Sequence, residues 1–255
     1  YAKYYGLSLT TIAAIVLIAR LFDIVSDPIA GYYCDRYYQR AGTRKPLTLV
    51  GGLLVILCGY FLYVPPPQVS ITYFTLWFIA FYLAWTLFDI SHLAWASDLA
   101  TTAEGKNKIY SYRSAAAYAG PALFFTIPLL PFFETQDITP ETLRISIVAA
   151  GLLMLLTLFY SLKVTPDGHH SLSSSQPDGA PLEWRTLLKS LVSNRPFLLF
   201  LAAFLCKNFS TGLWFGLIFI YVDAYLGLGH QFAQMFLIAF AVGIIATPIW
   251  YHLAN

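Results

Sequence analysis

Five ionisable side chains sit inside long apolar stretches: Arg20, Asp23, Asp27, Asp89 and Lys207. An unpaired charge in hydrocarbon is costly, so each must face a partner, water or the protein interior. Arg20, Asp23 and Asp27 fall at i, i+3 and i+7, which places them on one face of a helix. Asp23 and Asp27 lie one turn apart and repel unless a proton or a cation sits between them. Carboxylate oxygens suit a small hard cation such as Na⁺, and the pattern does not separate Na⁺ from H⁺. A competing reading makes Arg20–Asp23 and Asp27–Lys207 inert pairs that hold a bundle together. Pro28 follows Asp27 directly and either frees backbone carbonyls for an ion or simply kinks the helix. Thr86 precedes Asp89 by three residues on the same helical face; its hydroxyl either completes an oxygen cage or bonds back to its own helix. Asp23, Thr86, Asp89 and Lys207 reach similar depths when counted from the ends of their stretches. Nearby Trp85, Trp95, Tyr112 and Tyr118 suit either stacking on a flat solute or ordinary bundle packing.

The elements that position these residues are membrane spans. The 255 residues are 58% hydrophobic and only 11% charged, which leaves too little charge for the surface of a soluble domain. Spans of about 20 apolar residues are expected over roughly 9–33, 47–64, 71–97, 110–133, 143–162, 196–222 and 231–252. The net charge of +2 gives no reason to expect nucleic acid as a partner. Cys34, Cys58 and Cys206 lack metal-ligand spacing and read as small membrane-core residues. Basic residues collect after the first expected span (Arg36, Arg40, Arg44, Lys45), after the third (Lys106, Lys108) and in the polar 163–195 segment. The positive-inside rule assigns those connections to the cytoplasm. The first visible span then starts outside, and a cytoplasmic N-terminus calls for one more helix before Tyr1. Residues 163–195, with His169, His170 and a run of serines, read as a flexible cytoplasmic linker between bundles at 1–162 and 196–255.

The stretch Ala19-Arg20-Leu21-Phe22-Asp23-Ile24-Val25-Ser26-Asp27-Pro28-Ile29-Ala30-Gly31 resembles the helix II signature of the glycoside–pentoside–hexuronide:cation symporter family, of which melibiose permease is the best-known member. The turn Arg40-Ala41-Gly42-Thr43-Arg44-Lys45-Pro46 is similar to the family's basic cytoplasmic turn. With Gly31 and Asp35-Arg36 it also resembles the loop that guards cytoplasmic closure in the major facilitator superfamily. Thr86-Leu87-Phe88-Asp89-Ile90 resembles the helix IV segment, and Tyr112-Arg113 with Ala119-Gly120 the start of helix V. The resemblance implies an all-α polytopic bundle of the major facilitator type, seen from helix II to about helix VIII of twelve. It implies that Asp23, Asp27 and Thr86 hold a coupling cation, with Ser26 standing where sodium-coupled members carry Asn. It implies that Asp89 and Arg113 hydrogen-bond sugar hydroxyls. Leu93 occupies the place of a Trp in the melibiose carriers, which shifts any sugar platform toward Trp95. Lys207 is not charged in those carriers, and here it points to proton coupling or an anionic solute.

These features predict a multi-pass transporter of the plasma (bacterial inner) membrane, with a small solute such as a sugar, a monovalent cation or proton, and lipid as its partners. Its expected mechanism is alternating access about a midplane site. Arg40, Arg44 and Lys45 are expected to latch the cytoplasmic side to acids such as Asp98. No glycine-rich phosphate loop suggests a nucleotide-driven pump, and no cofactor is expected. His92, the lone histidine among the polar residues of the first bundle, has no evident catalytic partner, which argues against an enzyme. The alternative is a proton-coupled or uncoupled facilitator for another small solute or an amphiphilic lipid.

Overall fold

The computed structural model describes residues 1–131, 133, 137–167 and 192–254. Every regular element among them is helical: α1 (Ala2–Tyr5), α2 (Leu9–Ala41), α3 (Lys45–Tyr63), α4 (Ile71–Asp98), α5 (Ala103–Thr126), α6 (Pro140–Val164), α7 (Arg195–Ile220) and α8 (Phe232–Ala254). Short 3₁₀ turns and one π turn, Tyr221–Tyr225, join them. His169, His170 and most of the expected linker lie outside the described residues.

Local chemistry sets the ends of the helices. Gly42 closes α2 in the left-handed region (φ 71°), where its N–H donates to the Tyr38 carbonyl. Ser70, Thr102, Thr139 and Asn194 each accept a backbone N–H in the first turn of α4, α5, α6 and α7. Pro46, Pro140 and Pro196 sit in first turns, where a missing N–H costs no helical bond. Pro28 lies inside α2, which continues through it.

Six of the seven long helices are apolar and long enough to cross a membrane. The seventh, α5, is long enough but carries Glu104, Lys106, Lys108 and Arg113. It starts at Ala103 rather than near 110, because the Thr102 cap lies in polar sequence ahead of the apolar run. α2 likewise extends past its apolar part, to Ala41. Large apolar side chains face outward, among them Ile24, Leu156 and Phe209 at 69%, 69% and 70% exposure, as expected for surfaces in contact with lipid or further helices.

α3 is the central helix, packed between α4 and α6. Its buried residues Thr48, Gly51, Gly52, Val55, Cys58, Gly59 and Leu62 recur at three and four positions and are mostly small, which lets the neighbouring backbones approach. α2 packs on α4, whereas α5 packs along α8. The α5–α8 seam is aromatic: Phe125 meets Phe232, Phe236 and Phe240, and Tyr118 lies over Gly243. Residues 43–45, Asp98 and Pro166–Asp167 converge at one end of the bundle. The Tyr1 hydroxyl donates to the Leu62 carbonyl at the other end. This is the alternation that the basic connections require.

Candidate functional site

The polar residues of the spans form a seam where α2 and α4 run side by side. Arg20 opens it, donating from Nη2 to the Tyr82 hydroxyl at 3.0 Å with its guanidinium 4.6 Å from that ring. Arg20 Nη1 also reaches Asp23 Oδ2 at 3.5 Å, with Arg20 largely exposed. Two turns on, the Thr86 hydroxyl donates to Asp27 Oδ1 at 3.0 Å. Further along, Cys34 Sγ lies 3.2 Å from Ser91 Oγ, both fully buried. Arg20, Asp27 and Cys34 follow at steps of seven, the repeat that keeps one face of a helix against a nearly parallel neighbour.

Ser26 neighbours Asp27 in sequence but is turned by about 100° around the helix. Its hydroxyl is shut off from solvent and has no hydrogen-bond partner among the described residues. Asp23, Asp27 and Thr86 thus present oxygen atoms from α2 and α4, a set that suits a proton or a hard monovalent cation. Among the described residues no group of three or more His, Cys, Asp or Glu side chains converges as a metal centre.

Each three-residue step along a helix turns about 60° backwards, so Thr86, Asp89 and His92 sweep from α2 towards α5. Asp89 Oδ1 accepts from Arg113 Nη2 at 2.5 Å, and His92 Nδ1 lies 3.2 Å from Arg113 Nη1. Asp89 and Arg113 are each about one-third exposed (35% and 36%), so part of the pair remains open to a ligand. α4 is therefore shared: Thr86 touches the carboxylate face of α2, and Asp89 touches α5.

Two residues expected near this group stand apart from it. Trp95 is buried at the end of the bundle where α2 meets α3, its Nε1 donating to the Pro166 carbonyl at 2.9 Å, with Lys45 Nζ 5.8 Å from its ring. It lies about 9 Å further along α4 than Asp89. Lys207 is on an exposed face of α7 and makes no ion pair among the described residues, so the Asp27–Lys207 pair does not form.

At the same end as Trp95, Arg44 is buried and bridges two helices, with Nε 2.9 Å from Asp98 and Nη2 3.0 Å from Asp35. Its guanidinium also lies 4.3 Å from the Tyr38 ring. Burial opposes the Arg44 charge, but hydrogen bonds and attraction from Asp98 and Asp35 outweigh it and move its pKa upward. Lys45 pairs with Asp167 at 3.5 Å rather than with Asp98, and Thr43 donates to the same carboxylate. Arg36 donates to Tyr32 one turn back, and Arg40 is exposed with no ion pair among the described residues. A Cβ added at Gly31 would meet open space. Tyr82, Ser91 and Asp167 were not singled out by their sequence context. Tyr82 stands one turn before Thr86, a spacing that marks it as part of the same face.

Six helices long and apolar enough to cross a membrane, with polar side chains paired between α2 and α4, mark a polytopic membrane protein. The chain belongs to the MFS/sugar transport protein family, whose pattern matches residues 1–255. It is 28% identical over 142 residues to the putative glycoside/cation symporter YagG of Escherichia coli (strain K12), an alignment covering 54% of this chain and 31% of that protein. It is 23% identical over 211 residues to the uncharacterized symporter YjmB of Bacillus subtilis (strain 168), covering 77% and 44% respectively. It is also 25% identical over 111 residues to the sodium-dependent lysophosphatidylcholine symporter 1-A of Danio rerio, covering 42% and 21%. The chain thus spans less than half the length of these curated relatives.

Proposed function

We propose that this chain forms part of a cation-coupled symporter of the glycoside–pentoside–hexuronide type, moving a sugar, glycoside or hexuronide by alternating access. The observation that carries the reading is the double engagement of α4: Thr86 is bonded to Asp27, and Asp89, one turn on, is bonded to Arg113. Asp23 and Asp27 with Thr86 take the coupling ion, Na⁺ or H⁺, and Ser26 lies beside them. Asp89 and Arg113 take the solute, since a carboxylate and a guanidinium offer paired acceptors and donors to neighbouring hydroxyls. An ion that settles Asp27 and Thr86 also settles the register of α4, and hence Asp89. The coupling is reciprocal, so bound solute raises affinity for the ion. Residues 1–162 form the first bundle, 163–195 the cytoplasmic linker and 196–255 the start of the second bundle. The names of the bacterial relatives support a symporter, and that of the Escherichia coli relative a glycoside.

The test is uptake by vesicles of the plasma membrane carrying the full-length protein. Labelled glycosides, hexuronides and a lysolipid are offered under imposed Na⁺ or H⁺ gradients, with Asp27→Asn alongside. Gradient-driven accumulation of a sugar, abolished in Asp27→Asn, is the expected result. Equilibration that ignores both gradients and survives Asp27→Asn would remove coupling, and accumulation of the lysolipid alone would replace the solute.

A further inference from the structure

His92 stands one turn beyond Asp89, and its ring lies 5.4 Å from that of Phe88 at an interplanar angle of 13°, which fixes the plane of the imidazole. Its Nδ1 faces Arg113 Nη1 at 3.2 Å. A guanidinium can only donate, so Nδ1 is the bare accepting nitrogen and the ring proton resides on Nε2. Arg113 is therefore gripped through both terminal nitrogens, by Asp89 on one and His92 on the other. Among the described residues these are the hydrogen bonds that join α5 to α4, since α5 otherwise rests on α8.

We propose that His92 is a positioning residue for Arg113, and that the neutral imidazole sets the site to accept an uncharged polyhydroxy solute in preference to a uronate. The proposal rests on the assignment of Asp89 and Arg113 as solute contacts. With His92 neutral, the charges of Asp89 and Arg113 cancel. The guanidinium already has its carboxylate, and a solute carboxylate would have to displace Asp89 while facing its negative charge. The N–H groups of Arg113 not used by α4, together with the second oxygen of Asp89, remain as donors and acceptor for neighbouring hydroxyls.

Protonation of His92 reverses each of these features. A proton on Nδ1 points at an N–H, the bond is lost, and two cations face each other. Arg113 then swings from its place and the site carries one net positive charge, which favours an anion. The charged groups facing His92 among the described residues are Asp89 on its own helix and Arg113 on α5. The adjoining part of α3, at Phe88, presents Gly51 and Gly52 and no charge.

The experiment uses the full-length protein in proteoliposomes, with His92→Asn, which keeps an acceptor near the Nδ1 position but cannot titrate, and His92→Phe, which keeps the ring alone. Phenylglyoxal labelling of Arg113, read by peptide mass spectrometry at about pH 7.5, needs no solute. Slow labelling in the wild type and His92→Asn, with labelling at least about five-fold faster in His92→Phe, is expected from loss of one charge-assisted bond. Equal rates in all three would overturn the positioning role. Binding of 4-nitrophenyl β-glucoside is then compared with that of 4-nitrophenyl β-glucuronide at about pH 7.5 and about pH 4.5, the lower value placed well beneath the usual histidine range because the adjacent guanidinium opposes the proton. The wild type is expected to shift about ten-fold towards the glucuronide at the lower pH, and His92→Asn to show no shift. A shift that persists in His92→Asn would overturn the charge-selection role. Absence of binding of either sugar at both pH values would overturn the solute assignment and the charge selection built on it, leaving the labelling result to decide positioning by itself.

Discussion

Two adjacent glycines of α3 provide a sharp test of how the site is held. A Cβ at Gly51 would lie 2.8 Å from the backbone N and Cα of Phe88, whereas a Cβ at Gly52 would lie 2.7 Å from Leu158 Cδ2. Carbon contacts settle at about 3.5–4.0 Å, so both methyl groups arrive about 1 Å too close. The obstacles differ in kind. Leu158 Cδ2 is the tip of a flexible side chain and can rotate away, but the backbone of Phe88 moves only if α4 moves. Either alanine gains about 1 kcal/mol of helix propensity over glycine. Overpacking against a rigid neighbour costs about 1–3 kcal/mol. Gly52→Ala is thus expected to be neutral or slightly stabilising, and Gly51→Ala to lose up to about 2 kcal/mol. Because Asp89 follows Phe88 directly, Gly51→Ala is also expected to weaken solute binding several-fold, with Gly52→Ala unchanged. The assay is thermal inactivation of the detergent-solubilised full-length protein, read as a half-life, paired with solute binding. Equal half-lives for the two variants, or a longer one for Gly51→Ala, would show that the α3–α4 contact is not the constraint described above.

Thr86→Val removes the hydroxyl that ties α4 to Asp27, and the half-saturating ion concentration for uptake is expected to rise about ten-fold, with ion-free solute binding nearly unchanged. Arg44→Met leaves Asp98 and Asp35 without their shared cation and is expected to cost about 2 kcal/mol in thermal stability measurements, less than a fully buried pair because Asp35 is 65% exposed. The raised pKa of Arg44 means that its contribution is complete below the ordinary arginine range and is lost only above it, so the difference between Arg44→Met and the wild type is expected to stay constant between about pH 6 and 9. Gly243→Val drives a branched side chain into the Tyr118 ring, 2.8 Å from the position of a Cβ. It is expected to shorten the inactivation half-life by the equivalent of about 1–3 kcal/mol.

The helical face of α2 was legible because spacing along one helix is intrinsic to the sequence: Arg20, Asp23 and Asp27 needed only the helical period. The same step of seven continues to Cys34, whose partner Ser91 lies on another helix and leaves no trace in local sequence. Helix order and the gathering of the basic turns at one end follow from hydropathy and charge. Lateral position does not. Lys207 shares its depth along the sequence with Asp23, Thr86 and Asp89, but depth is measured along the membrane normal and is the same all around a bundle. Trp95 is close to Asp89 in sequence, yet six residues of helix carry it to the end of the bundle, against Pro166. His92 was visible as an isolated polar residue, and only the neighbouring α5 gives it a partner.

The seam between α5 and α8 makes α5 a beam clamped near one end. Its ring contacts with α8 run from Tyr118 to Phe125, whereas Arg113 lies five residues before Tyr118. At 1.5 Å per residue that is a free arm of about 7.5 Å, and the tip at Ala103 lies about 22 Å from the clamp. A swing of about 10° about the seam carries Arg113 through about 1.3 Å and the tip through about 4 Å. The smaller displacement exceeds what a hydrogen bond tolerates. The Asp89–Arg113–His92 contact thus ties α5 to α4 part-way along its free arm, and any swing about the seam is largest at Ala103, the point furthest from both.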